Sequence, residues 1–487
     1  MAKEDDESPD ERSEAAVVVL GDVGRSPRMC NHAKMLADEG FDVKLIGFFD
    51  SIPGEQIMNH PRIKIVGIPP PPDFMDSLPA FVQLPLKLFW NFITLFLALA
   101  FQTSAFNLRI ILMQNPPALP TMIVCFMFSI FKFAKFSIDW HNYMYSILQN
   151  KYQLTDDQVF GNDKKTKKAQ IVRCVGFLEG LCGKLSDYNL CVTNAMRRDL
   201  MDRWGIRAST FYDRPPTDTT IQEIHDLYLR LSQKERILQG KDEDSTILTH
   251  KSSNGVVQLL TTRPIVFLSS TSWTPDERFE ILLDALVAYD KTIGLPRVLM
   301  IITGKGPLKA KYLQEIHEKN LKNVDVLTPW LEAEDYPKIL ASADLGISLH
   351  TSTSGLDLPM KVVDMFGAKV PALALKFKCI DELVEEKTNG YLFDDSEQLS
   401  RQIIELSRGF PNNCNELIRL KKNTQEQKFD SWEVMWKRSA TSGADFRVPD
   451  NGFAKLRAII QFSFFAILLI MPIHLFMGTF SGAFRSL

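Results

Sequence analysis

Apolar residues in this chain gather into short runs set apart by longer stretches with helical periodicity. Six such runs, at 15–20, 42–47, 63–67, 109–114, 135–139 and 188–193, have the length of strands and are largely apolar throughout. Strands of that kind are buried on both faces, which is how a parallel sheet covered by helices reads. A second set, within 264–274, 297–307, 323–331, 344–350 and 371–375, repeats the pattern. The expected fold is therefore α/β, with two Rossmann-like parallel-sheet domains facing a cleft, at 15–214 and 256–440. Between them, 215–255 is charged and poor in apolar residues, and predicts a polar linker with an inserted loop. The segment F-D-S-W-E-V-M-W (429–436) is expected to cross back onto the first domain.

Two apolar runs are too long for strands. No charged residue occurs from Ala458 to Phe484, a stretch able to cross a bilayer at about 1.5 Å per residue. It predicts a C-terminal transmembrane helix at 456–480, with Lys455 and Arg457 favouring a cytosolic body. Leu88 to Leu108 is also charge-free, yet it lies between strand-like 63–67 and 109–114, which must share one sheet. A true crossing would part those strands, so the run reads as a helix packed on the sheet with one face resting on lipid, or as an ordinary core helix. The lysines Lys164, Lys165, Lys167 and Lys168 form a loop cluster able to meet anionic head groups. Residues 1–14 are acidic and lack an apolar core, so they are expected to be disordered and neither a signal peptide nor an anchor.

Composition narrows the function. A net charge of −3 argues against a nucleic-acid partner. Seven cysteines without a C-x-x-C pair make neither a disulfide framework nor a zinc site. With no D-x-D between apolar strands, no bound catalytic metal and no cofactor are expected.

Open parallel sheets bind ligands at the carboxyl ends of their strands, so the polar residues there are the candidates. After 15–20 comes G-D-V-G-R-S-P-R-M, in which Gly24 permits close approach and Asp22, Arg25, Ser26 and Arg28 supply chemistry. This is not a G-x-G-x-x-G dinucleotide fingerprint. Later strands end in Gln114 and Asn115, then in Asp139, His141 and Asn142. Arg25, Arg28, Asn142 and Gly24 are candidates for an acceptor's phosphate. In the second half the turn Gly304-Lys305-Gly306 follows a strand, and 349–375 reads strand, hydroxyl-rich loop with Ser354, helix, strand. Pro359 can open that helix, whose amino end suits a diphosphate. Lys361 then lies in its first turn and Asp364 one turn on, where a carboxylate can accept ribose hydroxyls.

Several stretches together carry a resemblance: V-V-L-G-D-V-G-R-S-P-R-M (18–29), Q-N-P-P-A-L-P (114–120), I-D-W-H-N-Y (138–143), T-P-W-L-E-A-E-D-Y-P (328–337) and H-T-S-T-S-G-L-D-L-P-M-K-V-V-D-M-F-G (350–367). On these the chain resembles the chitobiosyldiphosphodolichol beta-mannosyltransferase family, glycosyltransferases of the two-domain GT-B type. The resemblance implies transfer of mannose from GDP-mannose to dolichol-diphosphate-linked chitobiose in a beta-1,4 link, at the cytosolic face of the endoplasmic reticulum membrane. Other mannosyltransferases of that pathway become candidate partners. A silent lipid-binding or scaffolding relative, and a transferase for another lipid-linked acceptor, are the alternatives. Such transfer with inversion needs a base, for which Asp22 and His141 both stand, with Asp139 and His141 as an alternative substrate-positioning pair. Retaining relatives of this fold place a glutamate where this chain has Ser354-Gly355, which counts against retention.

Overall fold

The computed structural model describes residues 13–161, 166–213, 219–274, 277–352, 354–439 and Ser463. They divide into two compact units, one running through Tyr212 and resuming at Ser431, the other Asp213–Asp430.

In the first unit, β1 (Glu14–Asp22), β2 (Asp42–Phe48), β3 (Ile63–Gly67), β4 (Leu108–Asn115), β5 (Lys135–Trp140), β6 (Tyr188–Cys191) and β7 (Ser209–Thr210) form one sheet. Its order is β3-β2-β1-β4-β5-β6-β7, and every pairing is parallel. Ala15, Val17 and Val19 point into a core with Met29, Ala33 and Leu36 of the helix Pro27–Asp38. The expected return of the chain occurs here: the helix Trp432–Ser439 buries Met435 and Trp436 in the same core. β1 begins at Glu14, one residue inside the stretch expected to be disordered, because Glu14 is buried and accepts a bond from the Ser104 amide at 2.7 Å.

In the second unit the first two strands form a short antiparallel hairpin, β8 (Thr249–Lys251) and β9 (Val257–Leu259). A parallel sheet follows: β10 (Ile265–Ser270), β11 (Val298–Thr303), β12 (Val324–Leu327), β13 (Leu345–Ser348), β14 (Ala372–Leu375) and β15 (Gly390–Phe393), in the order β12-β11-β10-β13-β14-β15. Ile265 and Phe267 enter one core beside Leu282 and Leu286, while Val266 and Leu268 enter the opposite one beside Ile339 and Phe366. That two-residue alternation between two cores is why these strands read as unbroken apolar runs. In each sheet the strand order reverses once, between β1 and β4 and between β10 and β13, and the loops at those points carry the candidate chemistry.

Two expectations change. The supposed linker is part of the second unit: Ile221–Ser232 is a helix with a capping box at Thr220, and it buries Ile224, Leu227 and Tyr228 in that unit's core. The run expected at 88–108 is a helix at Ala80–Phe101, so it starts earlier, through Pro85 and Lys87, and ends before the turn into β4. Its Leu95, Ala98 and Leu99 are buried, whereas Phe89, Ile93, Leu97 and Phe101 stay exposed on another face. Lys132 closes its carboxyl end, donating to the Leu99 and Thr103 carbonyls at 2.7 and 2.8 Å. Among the described residues, Val82–Phe101 is the one helix long and apolar enough to cross a membrane. The C-terminal segment 456–480 apart from Ser463, and Lys164 and Lys165, lie outside the described residues.

Candidate active site: two polar loop clusters

At the carboxyl end of β1, Asp22 is held by its own loop and by Ser51 in the loop after β2. It accepts from the Ser51 hydroxyl, from the Ser51 amide at 3.1 Å and from the Gly24 amide at 3.3 Å, and it pairs with Arg25 Nε at 3.4 Å. A Cβ on Gly24 would stand 2.4 Å from the Ser51 carbonyl oxygen, so this turn requires glycine. Burial pushes the Asp22 carboxyl up, but the bonds from Ser51, Gly24 and Asp50 outweigh it and hold the group below the ordinary value. A carboxylate so supplied with donors is a weak base. Arg25, with 83% of its side chain exposed, keeps its guanidinium at the loop surface.

Arg28 does something other than expected. Its Nε and Nη2 grip the Asp139 carboxylate at 2.7 and 2.8 Å, and Nη1 donates to the Phe211 carbonyl at 2.7 Å. Only 5% of the side chain is exposed, so the expected phosphate-binding arginine is instead a buried partner of Asp139. Asp139 itself is fully buried, and its Oδ2 also meets His32 Nε2 at 3.1 Å and His141 Nε2 at 2.9 Å. Burial raises that carboxyl, and Arg28 with the two imidazoles more than reverses it, so it stays well below the ordinary value. His141 is the member of this group that reaches the surface, with 23% of its side chain exposed.

The loop carrying His141 is tightly tethered. Asn115 at the end of β4 accepts the His141 amide at 2.8 Å, and its Nδ2 donates to the Asn142 carbonyl at 3.0 Å. Asn142 Oδ1 takes the Tyr143 amide at 2.7 Å, which ties Asn142 into the turn. Sequence reasoning missed Glu179, fully buried, which accepts from Asn115 Nδ2, the Met144 amide and the Tyr145 amide at 2.8–3.0 Å. Burial pushes its carboxyl up to about 7, against the pull of those donors.

In the second unit the Gly304-Lys305-Gly306 turn follows β11. Gly304 has φ +110°, and a Cβ there would fall 1.8 Å from the Thr271 carbonyl oxygen; one on Gly306 would fall 1.8 Å from that of Ser272. The two glycines thus let this backbone lie against the loop after β10. A cavity of about 340 Å³ opens beside them, lined by Ser270, Thr303, Lys305, Trp330, Tyr336 and Lys361 among others. The Lys305 ammonium stands 3.7 Å from the Trp330 ring centroid.

Lys361 occupies the first turn of the helix Met360–Gly367, as the sequence predicts, with Pro359 just before it. Its ammonium is paired with Glu277, a residue the sequence did not single out. Glu277 is 3% exposed and also holds the Thr271 hydroxyl and the Ser272 amide. Asp364, one turn past Lys361, is bonded by the hydroxyl of Tyr336, which in turn reaches Ser270 Oγ at 3.0 Å. Burial pushes the Asp364 carboxyl up to about 7. Ser354 is tied into its own loop, taking the Leu356 amide and facing Asp357, and it does not join the residues lining the cavity.

Two parallel-sheet units with polar clusters at their reversal points give the chain a GT-B-like fold. Residues 262–408 match the family model described as glycosyl transferases group 1. Sucrose-phosphate synthase from Thermosynechococcus elongatus shares the fold, with a TM-score of 0.56 at 13% identity over 88% of this chain and 97% of that one. The human chitobiosyldiphosphodolichol beta-mannosyltransferase is 42% identical over 86% of this chain and 90% of its own length. The Arabidopsis thaliana protein called UDP-glycosyltransferase TURAN is 39% identical over 88% of this chain and 96% of its own. The chain belongs to the chitobiosyldiphosphodolichol beta-mannosyltransferase family.

Proposed function

We propose that the chain transfers mannose from GDP-mannose to GlcNAc2-diphosphodolichol, forming a beta-1,4 link with inversion, as the first mannosylation of a lipid-linked oligosaccharide. The observation that carries this reading is identity of 42% to the human enzyme over nearly the whole of both chains. The second unit supports it with a cavity that suits a nucleotide. Trp330 and Lys305 offer an aromatic face and a cation, and Lys361 a charge for the diphosphate. Asp364 is not one of the lining residues; it lies behind Tyr336, which is, and is the proposed acceptor for ribose hydroxyls. As the glycosyl bond breaks, negative charge grows on the departing diphosphate, and a cation fixed beside it lowers that barrier more than it aids binding.

On the first unit, His141 is favoured over Asp22 as the base. Asp22 is already satisfied by several donors, whereas His141 is oriented by a buried carboxylate and reaches the surface. Membrane attachment would use the exposed face of Ala80–Phe101 together with the C-terminal segment, with the body on the cytosolic side of the endoplasmic reticulum. A second reading, a UDP-sugar donor, is favoured by the name of the Arabidopsis relative. Both are tested by incubating the full chain with a short-chain GlcNAc2-diphosphate lipid and either GDP-mannose or UDP-sugars. A beta-mannosidase-sensitive product from GDP-mannose alone is expected; product only from a UDP-sugar would overturn the donor assignment.

A further inference from the structure

Arg28 and His32 lie one layer behind the surface of the first unit, and neither has a place in the chemistry above. We propose that they are positioning residues which hold His141 in the tautomer with its proton on Nε2, leaving the Nδ1 lone pair to receive a proton from the acceptor hydroxyl. This rests on His141 being the base of the proposed reaction.

The argument starts from the direction of one hydrogen bond. His141 Nε2 stands 2.9 Å from Asp139 Oδ2. If Asp139 is ionised it can only accept, so the imidazole must donate from Nε2, and in the neutral ring its other nitrogen is then a free base. A protonated Asp139 could donate instead, and the imidazole would then carry its proton on Nδ1, the wrong nitrogen for catalysis. Asp139 is fully buried, and burial alone favours the protonated form. Arg28 decides the matter, since its bidentate grip at 2.7 and 2.8 Å places a permanent charge on both carboxylate oxygens.

His32 supplies the remaining donor to the same oxygen, at 3.1 Å. Its ring sits in an aromatic box, 5.2 Å from Phe211, 5.2 Å from Trp432 edge-on and 5.7 Å from Trp436 between centroids. Its Nδ1 meets no partner among the described residues, which fits a neutral ring with its one proton on the Asp139 side. Burial holds His32 below its ordinary value, so it adds a donor without adding a charge that would compete with Arg28. Two of the box residues come from the helix Trp432–Ser439, so the returning end of the chain seals this network from water.

The test is nitrogen-15 NMR of histidine-labelled full chain, which separates the two neutral tautomers, read beside steady-state kinetics. Wild type should show His141 as the Nε2–H form. Arg28→Met should convert it to the Nδ1–H form or a mixture and lower kcat about 10–100-fold with donor KM unchanged. Because a buried arginine can be needed for folding, His32→Leu and His32→Gln serve as a second pair. Leucine fills the box but cannot donate, and should shift the tautomer and lower kcat; glutamine keeps an N–H and should restore both. A His141 that is already Nδ1–H in wild type, or a tautomer unmoved in folded Arg28→Met and His32→Leu proteins, overturns the proposal. Turnover that survives His141→Ala sinks the base assignment separately, while the NMR result still decides what Arg28 and His32 do.

Discussion

Lys361 carries its charge directly against the buried carboxylate of Glu277, a residue 84 positions earlier in the chain. The pair keeps a cation at the cavity wall with its charge balanced by Glu277. An incoming diphosphate must therefore share Lys361 with Glu277, and the attraction should be greatest when the leaving group is most negative. Lys361→Ala is expected to lower kcat at least 10-fold with a smaller change in donor KM. Steady-state kinetics check this, and a pure KM effect would mean that the lysine only docks the donor.

Glu277→Gln should act in the opposite direction on product binding. With the competing carboxylate gone, Lys361 offers its full charge to the released nucleotide, so GDP should inhibit more tightly. A weaker inhibition constant would show that Glu277 chiefly holds Lys361 and the Thr271–Ser272 loop in place.

How much of this was legible in the sequence depends on the range of the interaction. The strands were readable because most of them, β10 and β11 above all, are buried on both faces, and Lys361 with Asp364 because a helical turn brings them together locally. Arg28 was misread as a phosphate ligand because its partner Asp139 lies 111 positions away, and sequence spacing does not say which way a side chain near a glycine loop turns. Glu277 and His32 were missed for the same reason. The helix Ile221–Ser232 was hidden by averaging: its surface is charged, but Ile224, Leu227 and Tyr228 recur at helical spacing and are buried.

Asp364 should make donor binding depend on pH. Burial pushes its carboxyl up to about 7, so below that pH it is largely protonated and loses its capacity as a double acceptor. The KM for the sugar nucleotide is expected to fall as pH rises through about 7 and then level off. Asp364→Asn should flatten that profile and raise KM, since charge-assisted bonds are worth about 1.5–3 kcal/mol each. The sign for stability is the reverse. The folded protein holds this proton more firmly than the unfolded chain does, so the contribution is present below the unfolded value and lost as pH rises through about 7. The ligand-free Asn variant should accordingly melt higher than wild type at pH 8.

Gly304→Ala tests the turn that shapes the cavity. The added methyl would lie 1.8 Å from a backbone oxygen at a residue with φ +110°, so both the contact and the backbone are wrong. A cost of about 1–3 kcal/mol is expected for the strained backbone alone. Thermal unfolding should fall by several degrees, with donor affinity lost as the β10 and β11 loops separate; an unchanged melting temperature would mean that the turn relaxes freely.

The last expectation concerns lipid. Phe89, Leu97 and Phe101 are exposed on one helix, and apolar side chains left bare there have more to gain from an acyl boundary than from water. Deleting everything after Lys455 removes the second apolar segment and leaves this face as the remaining apolar attachment. The truncated protein should therefore still float with vesicles, be released by mild alkali, and transfer mannose to a detergent-solubilised acceptor. Adding Phe89→Ser, Leu97→Ser and Phe101→Ser should abolish flotation while leaving turnover on a short-tailed acceptor within a few-fold, because these side chains are exposed and make none of the bonds that build either loop cluster. Flotation that persisted in the triple variant would place the lipid contact elsewhere on the unit, and resistance of the truncated form to alkali would mean that Ala80–Phe101 is inserted and not merely laid on the surface.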